Sequence, residues 1–106
     1  MTAKTKKKPL LSVCIPVFNE EENVPRIVPA VDKALAPIAD RWDVEFVFTD
    51  NHSTDRTFAL LADLARSDPR VRVIRFSRNF GYQKSVLTGY LNACGVDTIV
   101  VTGATA

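Results

Sequence analysis

The chain has 106 residues, 46% of them hydrophobic and 25% charged, which suits one soluble globular domain. No apolar run approaches the roughly 20 residues that a membrane span needs, and a single histidine excludes a His-rich metal centre. The formal charge of +2 is uneven: Lys4, Lys6, Lys7 and Lys8 cluster at the start, and the remainder carries fewer bases than acids, which excludes a basic nucleic-acid-binding face.

Residues 1–9 read as a basic disordered tail, and residues 10–106 as the domain. Pro9 and a short strand follow the lysines where a secretory signal would have an apolar region, which points to a cytoplasmic chain. Near an anionic lipid surface each lysine adds on the order of 1 kcal/mol of attraction, so Lys4–Lys8 allow a weak membrane-surface contact beside their plain solubilising role. Leu10 to Val17 is a near-continuous apolar run, as in a parallel strand covered on both faces. Asn19 to Glu22 is an acidic turn. The first helix begins near Asn23, with Pro25 in its first turn and Val24, Ile27, Val28, Val31, Leu35 and Ile38 at helical spacing. Pro29 lies deeper and is expected to kink the helix or postpone its start.

Val44 to Thr49 is the second strand. Ser53 is a candidate N-cap of the second helix, with Asp55 in the first turn and Phe58, Leu61, Ala62 and Ala65 as the buried stripe. Asp68-Pro69 ends it, and Val71 to Phe76 is the third strand. A polar loop, Arg78-Asn79-Phe80-Gly81, precedes a helix from about Tyr82 to Ala93, with Leu87, Tyr90, Leu91 and Cys94 as its apolar stripe and Gly95 at its end. Asp97 to Val101 is the fourth strand. The order β-α-β-α-β-α-β is that of an α/β fold with an open, mostly parallel sheet and right-handed crossovers. Cys14 and Cys94 show no metal or redox spacing and read as buried reduced thiols.

Polar residues gather just past the strands, where open α/β sheets bind ligands. At the first tip, Phe18 can cover a base and Glu20 can accept a ribose hydroxyl, although acids there also suit a helix start. At the second, Asp50 and Asn51 offer acceptors for base or ribose donors, while Ser53, Thr54 and Asp55 are explained by turn chemistry. At the third, Arg78, Gly81 and Lys84 can approach a diphosphate, or form an ordinary solvated loop. No GxGxxG follows the first strand, and no Walker A sequence or GxSxG elbow occurs.

Together Pro16-Val17-Phe18-Asn19-Glu20-Glu21-Glu22-Asn23, Phe48-Thr49-Asp50-Asn51-His52-Ser53-Thr54-Asp55 and Ser77-Arg78-Asn79-Phe80-Gly81 resemble the family 2 (GT-A) glycosyltransferases, above all the polyprenyl- and dolichol-phosphate sugar transferases. The resemblance covers roughly Leu11 to Val101. It implies a Rossmann-like nucleotide-binding half, a nucleoside diphosphate sugar as donor and a polyprenyl phosphate as acceptor of a hexosyl group. It also implies nucleotide contacts at Pro16, Phe18, Glu20, Asp50, Asn51, Arg78, Asn79, Gly81 and Lys84. A phosphate acceptor is already ionised, so the main catalytic need is Mg or Mn to neutralise the departing diphosphate.

The chain departs from that pattern. Asp50-Asn51-His52-Ser53 stands where the family has Asp-Asp-Gly-Ser: Asn51 lacks a charge, and His52 tolerates positive φ less readily than glycine. The family's metal-binding Asp-x-Asp follows the fourth strand, and no carboxylate follows Asp97 here. The expectation is a chain truncated after strand four. It would bind nucleotide, lack catalytic and metal residues of its own, and be inactive alone. The alternative is a non-catalytic nucleotide-binding or subunit-interaction module. A strand order of 3-2-1-4 would leave strand four at an edge and only the third helix on one face, which favours self-association.

Overall fold

The computed structural model describes residues 8–93 and 97–100. Lys4, Lys6, Lys7, Cys94, Gly95 and residues 101–106 lie outside the described residues, as does the side chain of Tyr90. Strands β1 (Leu10–Val17), β2 (Asp43–Asp50), β3 (Val71–Arg75) and β4 (Asp97–Val100) alternate with helices α1 (Val24–Leu35), α2 (Thr57–Ser67) and α3 (Tyr82–Asn92). The sheet order is β3-β2-β1-β4 and every pairing is parallel. This is the open α/β sheet that the alternating apolar runs predict, in the 3-2-1-4 order that the family resemblance implies.

The register places Val17 beside Asp50 and Asp50 beside Arg75, so β1, β2 and β3 end flush. One face of the sheet is dry. Val13, Ile15 and Val17 of β1 and Phe46 and Phe48 of β2 pack with Val24, Ile27 and Val28 of α1 and Leu61 of α2. Burying a side chain of this size is worth about 1.5–3 kcal/mol, so this cluster carries most of the fold's stability. The opposite face, under α3, is partly polar. Ser12 Oγ donates to Glu45 at 2.5 Å, and Arg72 donates to Glu45 at 2.9 Å and to the Asn92 carbonyl at 2.8 Å, tying three strands to the end of α3. Cys14, buried and free, lies on this face, where burial first and the Glu45 charge second push its thiol pKa up.

Several sequence expectations require correction. Ser53 does not cap α2, which starts at Thr57 with Arg56 at the N-cap, so Asp55 also precedes the helix. The Asp50 carboxylate holds the Ser53 N–H and hydroxyl, and Asp55 accepts from the Thr57 N–H at 2.9 Å in the capping role. Pro29 does not postpone α1, which begins at Val24 and runs through it. The hydrogen bond it omits is to Pro25, and both residues are exposed to water. Leu87 and Leu91 are not core residues: they are 54% and 69% exposed. Instead, α3 meets the sheet through Gly89, where an added Cβ would lie 3.3 Å from Cys14 Cβ and 3.5 Å from Thr49 Cγ2. Gly89 stands two residues from each leucine, about 200° around the helix, so the close-packing face and the leucine face are opposite.

Candidate functional site

Because β1, β2 and β3 end flush, the segments that follow them form one surface at the carboxyl edge of the sheet. The first two are joined by side chain to backbone bonds. The Asn19 N–H donates to Ser53 Oγ at 2.9 Å, and the Thr54 N–H donates to Asn19 Oδ1 at 2.8 Å. The Glu20 N–H donates to Thr57 Oγ1 at 2.8 Å, and the Asn51 N–H reaches back to the Val17 carbonyl at 3.0 Å. Asn19 has φ 51, a left-handed conformation that asparagine tolerates better than most residues.

The second and third segments are joined as firmly. Asn51 Nδ2 donates to Asn79 Oδ1 at 2.7 Å, and the Phe80 N–H donates to Asn51 Oδ1 at 2.8 Å. His52 Nδ1 lies 3.1 Å from the Phe76 carbonyl, which requires the proton on that nitrogen. His52 has φ 64, so the residue standing in place of the expected glycine keeps the glycine-like backbone. Gly81, with φ 93, has nothing among the described residues within 4 Å of where a Cβ would sit.

Asp50 organises this edge. It is fully buried, and Oδ1 accepts from the Ser53 N–H at 3.0 Å and from the Ser53 hydroxyl at 2.5 Å. Its other oxygen, Oδ2, accepts no hydrogen bond among the described residues and faces Arg75 Nε at 3.6 Å. Arg75 is held in turn over the Phe58 ring, 4.5 Å from its centroid, and donates to the Ser53 carbonyl at 3.3 Å. Sequence reasoning passed over Arg75. The available signal was a cation in the last position of a strand whose neighbour ends in a carboxylate.

The expected contact residues fall into distinct environments. Pro16 is buried within β1, whereas Phe18 is 39% exposed. Glu20 is only 8% exposed, and its Oε2 accepts from Asn23 Nδ2 at 2.6 Å. With Asn19, Glu21, Glu22, Asn23 and Asp55 it lines an open acidic cleft of about 380 Å³. Partial burial acts to raise the Asp55 pKa, but hydrogen bonds from the Thr57 hydroxyl and N–H and from the Glu21 N–H outweigh it and hold the carboxyl below its usual range. Arg78 and Lys84 are exposed and flank the Phe80 ring at 4.6 and 5.4 Å, with Phe76 edge-on at 5.7 Å. The site thus has an acidic end near β1 and a cationic end after β3.

These side chains do not suit a divalent metal. Among the described residues no group of three His, Cys, Asp or Glu side chains is placed to hold one. Asp50, the most buried carboxylate of the edge, is engaged by Ser53 on one oxygen and opposed by Arg75 on the other.

Residues 12–102 match the sequence profile of Glycosyl transferase family 2. The chain belongs to glycosyl transferase family 2. A bactoprenol glucosyl transferase of Shigella phage SfV is 38% identical over 87 residues, 80% of this chain and 27% of that protein. An undecaprenyl-phosphate 4-deoxy-4-formamido-L-arabinose transferase of Pectobacterium carotovorum is 33% identical over 96 residues, 89% of this chain and 28% of that protein. The family 2 chain therefore spans little more than a quarter of these curated relatives. Two solved structures share its fold. The mannosyltransferase PcManGT of Pyrobaculum calidifontis, in complex with GDP-Man and Mn2+, superposes with a TM-score of 0.68 at 21% identity, over 84% of this chain and 26% of that one. S. aureus TarS gives 0.69 at 24% identity, over 86% of this chain and 26% of that one. Among the described residues no helix is long and apolar enough to cross a membrane.

Proposed function

We propose that this family 2 chain forms the donor-recognition part of a glycosyltransferase that passes a hexosyl group from a nucleoside diphosphate sugar to a polyprenyl phosphate. The observation that carries the reading is the hydrogen-bonded fusion of the three strand-end segments into one surface, acidic at one end and cationic at the other. On this reading Phe18 covers the base, Glu20 and Asp50 face the nucleoside, and Arg78 and Lys84 offset the diphosphate charge where Gly81 leaves room for its approach. The lipid phosphate is ionised at neutral pH and needs little help from a base to attack. A divalent cation would neutralise the leaving diphosphate, but the described side chains do not fit one, so no step of the reaction is assigned to them through a metal.

The names of the relatives support the acceptor class, and the GDP-Man bound by PcManGT supports the donor class. The reading places Lys4–Lys8 at the cytoplasmic membrane face where such an acceptor resides, and it allows copies of the chain to associate through an edge of the sheet. Isothermal titration of the purified 106-residue chain with UDP and with GDP, each with and without Mn2+, tests the central part. One diphosphate is expected to bind saturably without metal, and the matching nucleoside diphosphate sugar, supplied with a polyprenyl phosphate, is expected to give no sugar transfer. Absence of binding by both, or transfer by the chain alone, would contradict the proposal.

A further inference from the structure

The directions of the bonds between the second and third segments fix what each asparagine does. A backbone N–H can only donate, so the Asn51 atom facing the Phe80 N–H at 2.8 Å is its oxygen. By the same logic the Gly81 N–H, at 2.8 Å, identifies Asn79 Oδ1. With both oxygens assigned, Asn51 Nδ2 meets Asn79 Oδ1 at 2.7 Å as donor and acceptor. Asn51 is 6% exposed, and both ends of its amide are engaged within the chain. An aspartate at this position could still accept from Phe80, but its second oxygen would oppose Asn79 Oδ1. Rotating the Asn79 amide to answer it would turn Nδ2 toward the Gly81 N–H. An amide at 51 and an amide at 79 are therefore matched to each other.

We propose that Asn51 and Asn79 form a clasp that positions the diphosphate-side loop, residues 76–81, against the nucleoside-side segment, and that Asn51 is a positioning residue rather than a ligand of base or ribose. The inference rests on the donor-site reading of this edge. His52 supports the clasp through the Phe76 carbonyl.

Two measurements on the 106-residue chain test it, with the variants N51D, N79A and N51D/N79A. Amide hydrogen exchange by NMR, without nucleotide, is expected to show Phe80 losing protection in N51D, where repulsion between the new carboxylate and Asn79 Oδ1 pushes the loop off its acceptor, and Gly81 in N79A, while the amides of β1 and β2 keep theirs. Titration with the nucleoside diphosphate and with the bare nucleoside then separates the roles. The diphosphate is expected to weaken roughly three- to tenfold in either single variant, as one or two net hydrogen bonds would cost, with nucleoside affinity unchanged. The double variant should be no weaker than the worse single one, because both remove the same clasp. Equal loss of nucleoside and diphosphate affinity, additive losses, or N51D binding as tightly as the parent would overturn the proposal. So would unchanged exchange at Phe80 and Gly81. If N51D fails to fold, N79A carries the same comparison from the exposed end of the pair. Should the parent chain bind no nucleotide, the donor-site reading fails, and the exchange measurement still decides whether the clasp exists.

Discussion

At residue scale the edge of the sheet is built from short polar side chains that serve each other before they serve a ligand. Asp50 and Ser53 form one such pair, Asn19 and Thr54 another, and Asn51 and Asn79 a third. His52 tests how far this order depends on conformation. A non-glycine residue in the left-handed region is strained by about 1 kcal/mol, and its bond to the Phe76 carbonyl returns a similar amount. His52→Gly is therefore expected to change stability by less than about 0.5 kcal/mol. His52→Ala keeps the strain and loses the bond, and should destabilise by about 1 kcal/mol. Urea unfolding of the two variants checks the contrast. That the polar residues gather at one edge was legible in the sequence, because Asp, Asn, Ser and Thr stand just past the strands. Which of them bind the loop itself was not, because the same groups that contact ligands also make turns.

At the scale of elements, strands were the more legible part. β1 begins and ends where its apolar run does, β2 extends one residue beyond its run at each end, and β3 stops one residue short of its run. Helix α3 shows where periodicity misleads. Leucines at helical spacing imply a buried stripe, but a helix packs by its closest-approach face, and Gly89 supplies a face without a side chain. Ser53 misled as a cap for a related reason. The carboxylate three residues earlier and the Asn19 N–H engage its hydroxyl, the group that a cap offers to the helix. The packing predicts unequal costs for the same truncation. Leu61→Ala, at a position with no exposure, should cost about 2–5 kcal/mol, while Leu87→Ala should cost less than about 0.5 kcal/mol. Thermal unfolding that shows equal losses would contradict the assignment of the two faces.

Over the whole molecule, charge ties the side of the sheet opposite the site to the acid limit of stability. The Arg70 guanidinium bonds Asp68 at 2.9 Å and Asp32 at 2.9 and 3.1 Å, and it holds the Asp68 carboxyl below its usual range. Asp55 is held low by Thr57 and Glu21. Both pKa values are depressed on folding. Their contribution is therefore complete above the unfolded carboxylate pKa, near 4, and is lost as pH falls through the lower folded values. Melting temperature is expected to stay level from neutral pH to about pH 5 and to drop below about pH 4, less steeply in Asp68→Asn. The same whole-molecule view gives the account its firmest test, since strand order, flush strand ends and the cross-linked tips bring the proposed donor-contact residues to one edge. The most direct measurement is a nucleoside diphosphate titration of the isotope-labelled chain followed by NMR. The account predicts shifts concentrated in residues 16–23, 50–57 and 76–84, with the α1–α2 face silent. Shifts centred on that face, or none at saturating nucleotide, would contradict it.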